Sequence, residues 1–400
     1  VSTTLKTTDI LSSLKLRSFL AHFSAKYKCQ ISEKRIKHLK KRKLNSFMNK
    51  RICFVYKNDA HPFHFELMNS IGAESFKISV SRNGGISGKI LESIKVFSIP
   101  REYDVYVFQE LAETAFSFKI LNPKKKVIVL RDSGAYTWYD LNNKIKLKGR
   151  SKLRILRKRL ERKIGIWKLI FNKIDGFIFV GDLEKKFVEL FANKPNIVVW
   201  PKSSDVFIKA ANENKKPPNL NSHKLIQIAA VRDKGRYYNK GIDMAIEVFN
   251  KLKRKFNDLE LYLVAVDKKF VYNEGIQTFS YLSGNDLIEK IKECSLYIHF
   301  ARGEAAGISI QDAMLCGLPA MVSEYTGNKY FVGKVSKKLV VPLDIGEIVK
   351  RIEWYFNLPL KEKIKLSQKS VKLMKEQNKT AKERFINDFN KLVETLYKNK

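Results

Sequence analysis

Residues 296–323 read LYIHFARGEAAGISIQDAMLCGLPAMVS. A short apolar run ends near Ala301, and a loop carrying Gly303 and Gly307 follows. Apolar residues from Ile308 to Cys316 then recur at helical spacing. Gly317-Leu318-Pro319 stops that helix, because glycine accepts the left-handed C-cap and proline cannot prolong the turn. A second apolar run, 320–323, begins at once. Strand, loop, helix and strand in so short a space predict parallel strands joined by a crossover helix.

The same alternation extends in both directions from this stretch. Upstream, strands are expected at 225–230 and 259–266, with helices at 241–256 and 285–293. A first series of strand candidates lies at 52–56, 76–80, 105–108, 127–130, 177–180 and 197–200. Between the two series, 201–222 is polar and holds Pro217 and Pro218, which reads as a linker. From Asp344 to the end the sequence is lysine-rich and helical in pattern. The expected organisation is a basic helical extension over 1–50, a Rossmann-like domain over 51–200, the linker 201–222, a second Rossmann-like domain over 223–380, and a C-terminal helix over 381–400 able to return to the first domain. Two doubly wound α/β domains facing across a cleft bind ligands at the carboxyl ends of their strands.

Composition narrows the classes. A chain of 400 residues with 44% apolar content is too long for one ordinary core and apolar enough for two. Its most apolar region, 164–180, is broken by Lys168, Lys173 and Asp175, so no membrane span is expected. Residues 1–20 lack the apolar core of a secretory signal, and Cys29, Cys53, Cys294 and Cys316 lack metal-site or disulfide spacing. A reducing, cytoplasmic setting is expected.

The net charge of +37 is concentrated. Residues 1–51 hold 14 Lys and Arg against 2 acids, and residues 144–173 hold 13 against Glu161 alone. Subtracting these two contributions of +12 leaves +13 for the other 319 residues. Within 153–171, Leu153, Leu156, Leu160, Ile164, Trp167 and Phe171 recur at helical spacing among basic residues. Such a helix covers a sheet with its apolar side and offers charge to anionic partners. Anionic lipid headgroups fit best, which predicts a peripheral position on the inner face of a membrane.

Two stretches carry candidate chemistry. In the first, the backbone N–H groups where the helix begins, at about Ile308, can hold an anion or a sugar hydroxyl, since the first turn leaves donors unpaired. Glu304 precedes that helix and Asp312 stands eight residues on, so the two acids can touch different parts of one extended ligand. In the second, IAAVRDKGRYYNKGIDMAIEVF over 228–249, a strand leads into a basic loop and Gly241 starts an amphipathic helix. Arginine and lysine here, among Arg232, Arg236 and Lys240, can clamp a diphosphate.

These stretches resemble the Glu-x7-Glu signature and the Arg…Lys-Gly element of glycosyltransferase family 4 and its retaining GT-B relatives. The resemblance spans roughly 51–400 and is sharpest over 223–323. It implies two Rossmann-like domains and transfer of a sugar, with retention, from a nucleotide-diphosphate donor. Glu304 would contact the donor sugar, Asp312 the ribose, Arg232 and Lys240 the departing diphosphate, and the amides of Ala306, Gly307 and Ile308 the sugar and phosphates. Asp312 stands where the family has Glu, and Ala305-Ala306 where it commonly has Gly and an aromatic residue. No cofactor or metal is implied, because a cationic clamp does the work of a divalent ion. The acceptor would be a lipid-linked or envelope glycan.

The first half is less legible. The stretch after its first strand, 57–64, has no glycine; Gly84, Gly85 and Gly88 come later. Asp132, after the strand ending at Leu130, is the candidate polar group at the reaction centre, or else a turn former. His61 and His64 read as ordinary loop residues. A nucleic-acid-binding protein and a degenerate transferase kept as a scaffold are the rival classes. The aromatic residues fall inside strand and helix patterns and not among the basic runs, so no nucleic-acid partner is expected.

Overall fold

The computed structural model describes residues 50–57, 60–78, 95–132, 165–213, 217–267 and 274–398. Among these residues twelve strands form two six-stranded sheets. The first contains β1 (Ile52–Lys57), β2 (Glu74–Ile78), β3 (Val105–Gln109), β4 (Lys126–Arg131), β5 (Gly176–Val180) and β6 (Asn196–Val199), in the order β2-β1-β3-β4-β5-β6. The second contains β7 (Lys224–Val231), β8 (Glu260–Val266), β9 (Ile276–Phe279), β10 (Leu296–His299), β11 (Ala320–Ser323) and β12 (Val340–Val341), in the order β12-β11-β10-β7-β8-β9. Pairing is parallel, with Phe54 opposite Val107 and Tyr297 opposite Ile226. Central strands such as GFIFV and LYIH are buried at every residue, as parallel sheets covered on both faces require.

By contact, the described residues divide into two compact units. One is drawn from Val1–Leu130, Leu169–Phe177 and Asn390–Lys400, the other from Arg131–Lys168 and Ile178–Phe389. In the first, Tyr397 near the end of the 39-residue helix Leu360–Lys398 receives the ammonium groups of Lys50 and Lys126, 4.8 and 5.3 Å from its ring centre. Also in the first, His64 lies within the helix Pro62–Ser70 and is buried, its Nδ1 2.8 Å from Gln109 Nε2, so it is not a loop residue. His61 caps that helix by accepting from Phe63 N–H.

The second unit carries its core beneath β7, β8, β10 and β11, with Phe249, Leu252, Ile298, Met314 and Tyr355 all buried. Caps mark where its helices begin: Ser283 accepts from Asp286 N–H ahead of Gly284–Glu293, and Asp344 from Glu347 N–H ahead of Ile345–Phe356. Pro359 separates Ile345–Phe356 from the long helix, and buried Lys363 donates to the Phe356 carbonyl at that break. Among the described residues no helix is long and apolar enough to cross a membrane.

Three stretches differ from expectation. The linker 201–222 holds a helix, Asp205–Asn212, whose Phe207 and Ala210 enter the core; prolines at 217 and 218 masked an amphipathic turn pattern just before them. The basic stretch after β7 is a short helix, Lys234–Asn239, capped by Asp233, and not a loop. Strands β9 and β12 were not foreseen, being short, at the sheet edges and partly exposed. The extension 1–50, except Lys50, the glycines at 84, 85 and 88, and the basic segment before Gly165 lie outside the described residues. Of the expected amphipathic helix, Ile166–Lys173 is described; it buries Ile170 and Phe171 and leaves Ile166 and Leu169 exposed.

Beside the carboxyl end of β4, Arg131 Nε lies 3.1 Å from Glu184 Oε2, and both side chains are buried. Glu184→Ala leaves a buried guanidinium without its carboxylate, and should cost about 3–5 kcal/mol in denaturant unfolding. A loss under about 1 kcal/mol would show that the pair carries no stability.

Candidate functional site

In a parallel sheet every carboxyl end points the same way, so the loops after β7, β10 and β11 meet along one edge although they are far apart in sequence. Gly241 sets how closely two of them approach. It adopts φ +69°, and a Cβ there would stand 2.0 Å from the Phe300 carbonyl oxygen. Only glycine allows the turn before the helix Ile242–Lys253 to lie on the end of β10. Arg302 fastens the same junction: its backbone N–H donates to Asn239 O, and its guanidinium forms a two-pronged pair with Asp243 at 2.7 and 2.8 Å. From below, the buried Gln227 amide donates to Lys240 O at 2.6 Å.

This scaffold brings Lys240 and Glu304, 64 residues apart, into direct contact. The Lys240 ammonium donates to Glu304 Oε2. Behind them, His299 on the last residue of β10 is 2% exposed, and its Nε2 stands 3.6 Å from the same oxygen. Burial works to raise the Glu304 carboxyl, but Lys240 and His299 outweigh it and hold the group well below the usual carboxylate range. For His299, burial lowers the imidazole, Glu304 raises it and Lys240 lowers it, for a net downward shift. The result is a partly exposed, ionised carboxylate with an ammonium in front and a neutral imidazole behind.

The Glu304 loop is pinned by the segment after β11. Glu304 N–H donates to Tyr325 O, Gly327 N–H donates to Glu304 O, and Gly307 N–H donates to Asn328 Oδ1 at 2.6 Å. The last bond corrects one expectation. The Gly307 amide is spent inside the protein and is not available to a ligand, because Asn328 reaches it first. Among the described residues the amides of Ala306 and Ile308, at the start of the helix Ile308–Leu315, donate no hydrogen bond. That helix ends as foreseen, with Gly317 at φ +86° and Leu318 N–H donating to Ala313 O.

Other predicted residues fall in different surroundings. Arg232 is exposed just beyond β7 and forms no ion pair among the described residues. Arg236, also exposed, lies in the short helix, its guanidinium 3.4 Å from Ala230 O. Asp132 follows β4, half-buried, and the residues after it lie outside the described part. Asp312 is 7% exposed within its helix and lies beside Ser203 and Ser204. Burial pushes its carboxyl up to about 7 despite those two partners. Its Oδ1 has no hydrogen-bond partner among the described residues.

Sequence reading passed over Gln227, His299, Arg302 and Asn328. The first three act through backbone carbonyls or partners on other elements, which leaves no local spacing to notice. Asn328 had one signal, the Thr-Gly-Asn turn directly after a strand.

With this geometry in place, likeness to known proteins can be set beside it. Residues 210–379 match the family model described as Glycosyl transferases group 1. The fold is GT-B. Among solved structures, an α,α-trehalose 6-phosphate synthase from Burkholderia multivorans superposes with a TM-score of 0.61 at 11% identity, over 88% of this chain and 98% of that one. The sucrose-phosphate synthase from Thermosynechococcus elongatus gives 0.60 at 12% identity, over 88% of this chain and 100% of that one. A trehalose-6-phosphate enzyme structure from E. coli, bound with UDP-2-fluoro glucose, gives 0.61 at 9%, over 85% and 99%. No curated protein matches the sequence. Residues 210–379 thus match the group 1 glycosyltransferase model on a GT-B fold, and glycosyl transfer is the enzyme class that this match and fold support.

The raised Asp312 carboxyl has a consequence for stability. A group whose folded value lies above its unfolded value favours folding at low pH and loses that contribution as pH climbs from about 3.8 to about 7. Asp312→Asn should therefore raise the melting temperature more at pH 8 than at pH 5. An equal effect at both pH values in thermal melts would mean that the buried carboxyl does not titrate in this window.

Proposed function

We propose that the chain moves a sugar from a nucleotide-diphosphate sugar to a hydroxylated acceptor, with Lys240 and Arg232 on the diphosphate and Glu304 on the sugar. The observation that carries this reading is the contact of Lys240 with Glu304 at the carboxyl edge of the second sheet, inside the segment that matches the group 1 family. A donor sugar needs a hydrogen-bond acceptor for its hydroxyls, and the phosphate two bonds away needs a cation. Here both stand side by side. As the glycosidic bond lengthens, negative charge grows on the leaving diphosphate, and the Lys240 ammonium stabilises that charge more than it stabilises the ground state.

Placement supports the remaining roles in the same proposal. Arg232 and Arg236, exposed on either side of the Asp233 cap, are the second cations for the diphosphate. Amides of Ala306 and Ile308 face the phosphates at a helix start. Asp312 takes the ribose, since its Oδ1 can accept from a hydroxyl. Asp132 is assigned to the acceptor side. Transfer with retention, as in family 4, is part of the same proposal, as is independence of metal. Acceptors would be lipid-linked or envelope glycans, reached at the cytoplasmic face of a membrane through the basic segments 1–51 and 144–173.

Calorimetric titration with UDP, GDP and dTDP tests the donor site. One nucleotide should bind, and Lys240→Ala should weaken it about tenfold or more, the cost of a lost charged hydrogen bond. Glu304→Ala should leave nucleotide affinity nearly intact and abolish transfer from the matching sugar nucleotide. Absence of binding in a folded sample would sink the assignment.

A further inference from the structure

The Lys240 ammonium has two calls on it. In the structure it donates to Glu304 Oε2, and in the proposed reaction it must serve a diphosphate carrying two or more negative charges. A diphosphate at that spot competes with a single carboxylate and draws the flexible lysine outward. The Glu304 loop stays behind, since its backbone N–H and C=O are both tied to the 325–327 segment. Its carboxylate would then be left partly buried with one cation fewer.

The group behind it is His299. Its Nε2 lies 3.6 Å from Glu304 Oε2, it is 2% exposed, and neither ring nitrogen has a hydrogen bond among the described residues. Among the described residues the charged and titratable groups facing the ring are few. They are Glu304 from its own loop, Lys240 from the turn before Ile242–Lys253, and Tyr297 two residues back on β10, its ring stacked at 6.3 Å. The Tyr297 phenol is held neutral by burial and is tied to Ser309 and Ile228 O. With Lys240 engaged by a diphosphate, the repulsive cation is offset while the attractive carboxylate stays in place.

We propose that His299 is the positioning residue for Glu304: when a nucleoside diphosphate engages Lys240, His299 becomes the carboxylate's principal partner and takes up a proton from the buffer. This rests on the donor-site reading above. Donor binding is then linked to protonation, and the carboxylate stays fixed and charged to receive the sugar's hydroxyls. The unpartnered ring nitrogens gain a purpose they otherwise lack, since a buried polar group with no bond costs stability.

Calorimetry in buffers of differing ionisation enthalpy, near neutral pH with UDP, GDP and dTDP as probes, counts the protons. Wild type should take up more protons per bound nucleotide than His299→Gln, by an amount on the order of one. Comparing the two cancels the nucleotide's own phosphate titration. The glutamine amide keeps a donor near Glu304 but cannot titrate, so its affinity should stay within a fewfold of wild type. His299→Phe should lose both the proton and about tenfold in affinity. Equal proton uptake in wild type and His299→Gln overturns the inference while leaving the donor site standing. If wild type binds none of the three nucleotides, the donor-site reading falls and takes this inference with it.

Discussion

Everything at the carboxyl edge of the second sheet depends on how closely two backbones can approach at Gly241 and Phe300. A methyl group at residue 241 would lie inside the Phe300 carbonyl, so the absence of a side chain is the condition for the contact. Once that contact exists, Lys240 is delivered beside the end of β10, and the Glu304 loop can be closed onto it. Arg302 and Gln227 then hold the arrangement from the two sides with bonds to Asn239, Asp243 and the Lys240 carbonyl. The order of cause runs from backbone to charge. Electrostatics finish a site that sterics have already assembled.

The second organising feature is the use of buried polarity. Lys240, Glu304 and His299 form a line from the surface inward, each in reach of the next. Removing charges from water is expensive unless each finds a partner, which is why such lines are short and closely held. Here the surrounding loops also leave some capacity unused, at His299 and at Asp312 Oδ1.

The alternation of strands and helices was legible because buried parallel strands must be nearly all apolar and their helices amphipathic. GFIFV, LYIH and AMVS announce themselves. The helix Asp205–Asn212 was missed because two prolines and a polar surround outweighed its Val206, Phe207 and Ile208; tertiary burial decided that case. Edge strands were missed because a strand of two to four residues with one face in water carries little pattern.

By itself the sequence determined two series of alternating strands and helices and, through the order of Lys240-Gly241, Glu304 and Gly317-Leu318-Pro319, where the candidate functional edge lies. These are local properties: periodicity, turn chemistry and a spacing between acids. What only the tertiary structure decided is who touches whom. That Lys240 meets Glu304 and that Asn328 consumes the Gly307 amide follow from β7, β10 and β11 being neighbours in the sheet, and that Asp312 is buried beside Ser203 follows from the helix Ile308–Leu315 packing on Asp205–Asn212. Strand order is set by packing of the whole core, and no local stretch of residues encodes it.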